Sequence, residues 1–423
     1  MTETSNLSIP SLQRRVRTVL MLGQVMAGLG MGATLAVGAI MVGRLAGSDG
    51  FSGLAATSAT LGAALAAVPL ARLAARKGRS VSLTTGALLA SLGGFVTIIA
   101  SILGTVFLLL PGLALVGVGT AVNLQSRFAA TDLSDPTTRG RDLSLVVWAT
   151  TAGAVSGPNL ITPGEFLGGL LGLPELSGPF VLTTIAQASA ALLYFVALRP
   201  DPLLLAQERA ASAARAGKPG AADVKDNRII MVTAIVSIAL SHATMVAVMA
   251  MTPVHLVHHG ASLAIVGFTI SLHIAGMYGL SPVFGVMSDR LGRIPTILVG
   301  QVILVGSLLL TGFGSENEMA VVLGLVLLGL GWSATTVAGS TLLTESTSIA
   351  RRPKVQGISD LVMSGSGAVG GALAGVALAF LGYNGLSFVA LALVATVVIR
   401  VLASWRHASP AARVASEVPT FDI

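Results

Sequence analysis

The chain has 423 residues, of which 53% are hydrophobic and only 10% charged, and its mean hydropathy is +0.86; a soluble domain carries about a quarter charged residues, so a water-soluble globular fold is excluded. The formal charge is +7, but no basic domain gathers it, which argues against a nucleic-acid partner and for loops that face anionic lipid. Cysteine is absent, which removes disulfide and thiolate chemistry.

The N-terminal stretch MTETSNLSIPSLQRRVRTVL has no cleavable signal pattern, and its basic cluster runs directly into an apolar span predicted at 18–43. Further spans follow at 52–71, 81–102, 105–126, 143–163 and 179–198, each about 20 residues and long enough to cross a bilayer as a helix. An outer loop with Glu165 and Glu175 separates the fifth from the sixth. The polar stretch 199–228 reads as a linker, and six more spans are predicted at 229–253, 263–287, 295–313, 319–343, 357–381 and 386–405. The expected fold class is an all-α membrane protein with twelve transmembrane helices in two six-helix pseudo-symmetric halves, 1–198 and 229–423, the second ending in a short tail. With the N-terminus inside, every Lys and Arg except Arg44 falls in a loop, tail or helix end on the cytoplasmic side. The positive-inside rule then places both termini and the linker in the cytoplasm.

An internal repeat supports the two-half division. Gly78-Arg79 and Gly292-Arg293 are 214 residues apart, and Gly153 and Gly157 match Gly367 and Gly371 at the same offset. Repeated halves with a solute site near the membrane midplane are a recurrent transporter construction.

Three motifs refine this. Between the eighth and ninth spans lies Gly285-x-x-x-Asp289-Arg290-x-Gly292-Arg293. Gly285 permits close helix contact, and Asp289 can pair with Arg side chains or a helix N-terminus. The first half holds a degenerate copy, Ala71 to Arg79, with Ala75 where the carboxylate would stand. The fifth span carries Gly153-x-x-x-Gly157-Pro158, and small-xxx-small spacing of this kind also serves plain helix packing. The Asp289 loop resembles the signature loop of the major facilitator superfamily, and the Gly153 segment resembles that superfamily's antiporter motif without the usual following glycine pair. The resemblance implies alternating access, a cytoplasmic gate formed by Asp289, Arg290 and Arg293, and a monomer. A bacterial inner-membrane location is expected.

The cargo is read from the side chains inside the spans. No Asp or Glu falls in the middle of any of them, whereas His242 and His273 do, and intramembrane ionisable residues are functional candidates because burying them is costly. Met245 and Met249 stand one turn apart on the seventh span, as do His273 and Met277 on the eighth, so each pair can point to one place. Two thioethers and imidazole nitrogens suit a soft cation such as Cu(I). Methionine is also an ordinary gap-filler of apolar helices, and His273 has a structural alternative, neutral and hydrogen-bonded within the bundle. The Met-x-x-x-Met and His-x-x-x-Met pair resembles the CcoA-like copper importers of the major facilitator superfamily, which implies Met245, Met249, His273 and Met277 as metal ligands and copper as a transported substrate, not a cofactor. His242, Met245, Met249, His255 and His259 also step toward the outer end of the seventh span, where Pro253 is expected to bend it. The alternative is a proton-coupled exporter of an apolar drug or metabolite. An enzyme is not expected, because no nucleophile–base set, phosphate loop or carboxylate pair is found.

Overall fold

A segment that crosses lipid must satisfy its own backbone N–H and C=O groups, which only helices and closed barrels do. The computed structural model takes the helical solution, and it describes residues 8–48, 51–157, 160–216 and 226–407. In chain order these form α1 (Ile9–Ala46), α2 (Gly53–Lys77), α3 (Arg79–Leu103), α4 (Val106–Ala129), α5 (Arg139–Ser156), α6 (Ile161–Leu170), α7 (Gly178–Ala197), α8 (Pro202–Arg215), α9 (Arg228–His258), α10 (Leu263–Tyr278), α11 (Ser281–Leu291), α12 (Arg293–Phe313), α13 (Glu318–Glu345) and α14 (Arg352–Ser404). No strand occurs among the described residues. Helices cover all twelve predicted spans, the last two being parts of α14 on either side of Gly382, whose φ of 69° and ψ of 179° interrupt it.

Three boundaries differ from expectation. The fifth span stops at Ser156 and not near 163, and the predicted outer loop contains α6. Gly157 still donates its N–H to Gly153 O at 2.8 Å; the next residue is a proline, which has no N–H to continue the ladder. Pro158 itself, named in the antiporter-like motif, lies outside the described residues. The eighth span is two helices, α10 and α11, with Pro282 in the first turn of the second, where a missing N–H is tolerated. The linker contains a helix, α8, because Asp201 accepts hydrogen bonds from the N–H groups of Leu203 and Leu204 and caps its start.

The chain forms two compact units. Unit 1 comprises Met1–Ser134, Ala149–Ala222 and Ile349–Leu361; unit 2 comprises Asp135–Trp148, Asp223–Ser348 and Val362–Ile423. Within unit 1, α3 packs on α4 and α7, α2 on α4, and α1 on α7. Gly62 and Gly117 bring α2 and α4 into backbone contact, since a Cβ on either would overlap a carbonyl of the other helix, Ala114 or Ala59. Within unit 2, α13 is the central helix, packed by α9, α10, α11 and α12. Phe107, Phe313 and Phe380 are at least 80% exposed, an arrangement suited to acyl chains and costly in water.

Candidate functional site

Asp289, expected on a loop, lies in the last turn of α11 in unit 2. Gly292 has φ 101° and ψ 159°, a conformation L residues rarely adopt, and this turn delivers Arg293 as the first residue of α12. Arg293 is buried. Its guanidinium donates to Asp289 Oδ1 at 2.7 Å and to Glu345 Oε1 and Oε2 at 2.8 and 3.2 Å. Arg139 donates to the same Glu345 at 3.4 Å. Asp289 also accepts from the backbone N–H groups of Gly140 and Arg141, both at 2.8 Å. Those are first-turn donors of α5, which have no partner inside their own helix, so Asp289 caps α5 from another helix. Gly285 makes the approach possible, because a Cβ there would overlap Ser144 Oγ. Arg290 is exposed and has no part in these contacts. Asp289→Ala is expected to lower stability by about 1–2 kcal/mol, the usual worth of a lost helix cap, in thermal unfolding of the detergent-solubilised protein.

Unit 1 builds a related knot with a different acid. Gly78 has φ 90° and ψ 172°, close to Gly292, and delivers Arg79 as the first residue of α3. Ala75 offers no carboxylate, but Asp132, in the loop after α4, replaces it: Arg79 Nε and Nη2 donate to Asp132 Oδ2 and Oδ1 at 2.8 and 3.2 Å. Arg79 Nη2 also donates to Gln356 Oε1 at 2.7 Å. Burial pushes the Asp132 carboxyl above its ordinary value, with Arg79 pulling the other way. Asp201 closes the start of α3 by accepting from Ser80 N–H at 2.7 Å. A second buried pair joins Arg127 to Asp360 at 2.6 Å, with both side chains no more than 3% exposed. The absence of mid-span carboxylates in the sequence thus coexists with buried carboxylates at helix ends.

The cargo candidates lie on α9 and α10. Met245 is buried and Met249 half-buried on α9; His273 and Met277 are buried on α10. α10 packs chiefly along α13 and only lightly on α9, because Gly276 and Gly329 leave room for backbone contact: a Cβ on Gly329 would stand 2.5 Å from His273 O. His273 Nδ1 is 2.8 Å from Leu325 O. A carbonyl only accepts, so Nδ1 carries the proton and the Nε2 lone pair is available; Nε2 has no hydrogen-bond partner among the described residues.

His242 belongs to a different cluster. Trp332 on α13 donates its indole N–H to His242 Nδ1 at 3.1 Å, with ring centroids 6.1 Å apart. Tyr278 stands edge-on to Trp332 at 5.8 Å and 85°. Gly367 on α14 lies against the imidazole, where a Cβ would come within 2.7 Å of Cδ2. Trp332 is 90 residues from His242 in the chain; its only sequence signal was a large amphipathic ring inside an apolar span.

At the other end of α9, which runs helically through Pro253, His255, His258 and His259 line a cavity of about 540 Å³ with Glu316, Tyr383 and Asn384. His255 stacks on Tyr383 at 4.2 Å and 12° and donates Nε2–H to Ser315 O at 2.7 Å, which takes that nitrogen out of ligation. Among the described residues no group of three or more His, Cys, Asp or Glu side chains is arranged to hold a metal ion. In the antiporter-like segment, Gly153 packs against Gly28, with 2.5 Å left between an added Cβ and Gly28 Cα. Gly153 is thus used for close contact of α5 with α1.

Apolar helices long enough to cross a bilayer, with buried ion pairs at their ends, define a polytopic membrane protein by architecture. The family model described as the Major Facilitator Superfamily matches residues 20–277 and 234–419, and the chain belongs to that superfamily. It is 38% identical over 383 residues to an MFS-type transporter of Bacillus subtilis (strain 168), YdeG, covering 90% of this chain and 89% of the relative. It is 24% identical over 403 residues to the riboflavin transporter RfnT of Brucella anthropi, covering 91% and 94%. The proton:xylose symporter XylE superposes with TM-score 0.73 at 15% identity, over 94% of this chain and 96% of that one, and the human organic anion transporter MFSD10 with 0.72 at 16%, over 92% and 99%. These likenesses establish the all-α MFS fold.

Proposed function

We propose that this transporter carries a small, uncharged, planar organic solute of the riboflavin kind. The carrying observation is the Trp332–His242–Tyr278 cluster. It joins aromatic rings to a neutral hydrogen-bonding pair, on helix segments that hold no Asp, Glu, Lys or Arg between Arg228 and His258, Leu263 and Tyr278, or Glu318 and Glu345. Aromatic edges and faces favour offset or edge contacts with a planar ring, and the absence of charge disfavours an ionic cargo, which would be buried without a counter-charge. The riboflavin transport named for RfnT supports this reading. The protein works by alternating access of the halves 1–198 and 229–423, as a monomer in the bacterial inner membrane with both termini in the cytoplasm, and the contacts of Asp289 and Arg293 form its gate.

Copper import is the second reading, favoured by one observation. A metal-binding histidine usually donates its other nitrogen to a carbonyl or carboxylate, and His273 does so, with Nε2 left without a partner one turn from Met277. One experiment separates the readings: uptake of riboflavin and, under reducing conditions, of copper into proteoliposomes. The organic-solute reading expects riboflavin uptake that falls about tenfold in Trp332→Ala, the scale of one aromatic contact, and is indifferent to the methionines. Copper uptake abolished by Met245→Ala with Met249→Ala, without riboflavin uptake, replaces it with the copper reading.

A further inference from the structure

Unit 1 holds a polar cluster that none of the preceding contacts uses. Gln24, in the middle of α1, is 2% exposed. Its Nε2 donates to the backbone carbonyl of Asn123 on α4 at 3.3 Å and to Thr150 Oγ1 on α5 at 3.4 Å. The amide orientation is set by chemistry, because a carbonyl cannot donate and the nitrogen must therefore face Asn123 O. The consequence is that Gln24 Oε1 points elsewhere, and it has no hydrogen-bond partner among the described residues. Thr151, the next residue along α5, likewise leaves a buried Oγ1 without a partner. Thr183, Thr233, Thr252 and Thr269 use the carbonyl four residues back, whereas Thr97, Thr244 and Thr336 also leave a buried Oγ1 without a partner among the described residues. Buried polar atoms in native proteins are nearly always paired, and exceptions call for a reason.

The position of the amide is rigidly held. Gly23 lies against the Tyr194 ring, where any Cβ would overlap it, and Gly28 lies against Gly153. Gly23, beside Gln24, thus meets α7, and Gly28, one turn further along α1, meets α5. No Asp, Glu, Lys or Arg occurs in residues 18–43, 106–126 or 143–156.

We infer that Gln24, with Thr150, forms a hydrogen-bonding subsite in unit 1 that accepts an N–H or O–H group of an uncharged solute, such as a lactam, imide or polyol. A free amide oxygen is an acceptor and requires a donor. A cation would have no carboxylate to balance it, and Cu(I) prefers sulfur and imidazole to an amide oxygen. The subsite deepens the organic-solute reading and rests on it for the choice of probe.

The absence of native cysteine makes the test direct. Single-cysteine variants of the full chain are reconstituted in proteoliposomes and treated with a small neutral methanethiosulfonate, with riboflavin or uracil as protecting solutes. The subsite predicts that Gln24→Cys is modified and that a protecting solute slows the modification. It also predicts that Gln24→Leu raises the KM for riboflavin uptake about tenfold, the scale of one hydrogen bond, at unchanged membrane abundance. A Gln24→Cys variant that stays unmodified overturns the inference, since the amide would then be a sealed structural group. Modification slowed by neither solute, or an unchanged riboflavin KM in Gln24→Leu, overturns it as well. Modification slowed by uracil in a protein that takes up no riboflavin supports the subsite and removes riboflavin as the cargo.

Discussion

Arg79→Met is expected to destabilise the protein by about 3–5 kcal/mol, because it strands the Asp132 carboxylate in a buried site. Both side chains of this pair are 1% exposed, so water cannot take the place of the lost guanidinium. The companion Asp132→Leu leaves Arg79 with Gln356 Oε1 as its partner and is expected to cost a similar amount. The double variant Arg79→Met/Asp132→Leu is expected to recover much of the loss, because a buried ion pair replaced by apolar groups of similar volume is often neutral or stabilising. Recovery is incomplete to the extent that Gln356 loses its donor. Denaturation of the three variants in detergent forms a double-mutant cycle, with an expected coupling of at least about 2 kcal/mol. Additive losses would mean that the two residues act separately and that the loop after α4 does not supply the acid missing at Ala75.

Gly117→Leu is expected to abolish recovery of folded, monodisperse protein. A Cβ at Gly117 would overlap the Ala59 carbonyl, and one at Gly62 would overlap the Ala114 carbonyl, so either change forces α2 and α4 apart along their whole contact. The obstructing atoms are backbone, which cannot swing aside as a side chain does; overpacking of even a compliant core costs about 1–3 kcal/mol. Gly267→Ala on α10 is the matched control, since nothing lies within 4 Å of its Cβ position. That change is expected to be neutral or to stabilise by about 0.5–1 kcal/mol through helix propensity. Size-exclusion profiles and thermal unfolding of the solubilised variants decide this. A well-folded Gly117→Leu would show that the α2–α4 face tolerates separation.

The two predictions differ in how visible their residues are in the chain. Arg79 stood out through the repeated Gly-Arg step, but its partner Asp132 is 53 residues away on a loop with no motif. Gly117 and Gly62 are two of 50 glycines, with nothing local to distinguish either from Gly267. His273 was singled out by its place inside an apolar span. Whether its nitrogens were spent could not be read there, because Leu325 is 52 residues on.

What the sequence by itself determined is the set of properties that a window of about 20 residues carries: apolar length, and therefore the membrane-spanning helices, and the repeat and the Asp289–Arg293 loop, and therefore the superfamily. Hydropathy is a sum over neighbours in the chain and needs no knowledge of the fold. The tertiary structure alone decided the pairings: Asp132 for the acid missing at Ala75, Asp289 as a cap for α5, Trp332 on His242, and the unpartnered oxygen of Gln24. Each of these depends on which groups meet across helices distant in sequence, where hydrogen-bond geometry acts within about 3.5 Å and leaves no period or composition in the chain to mark it.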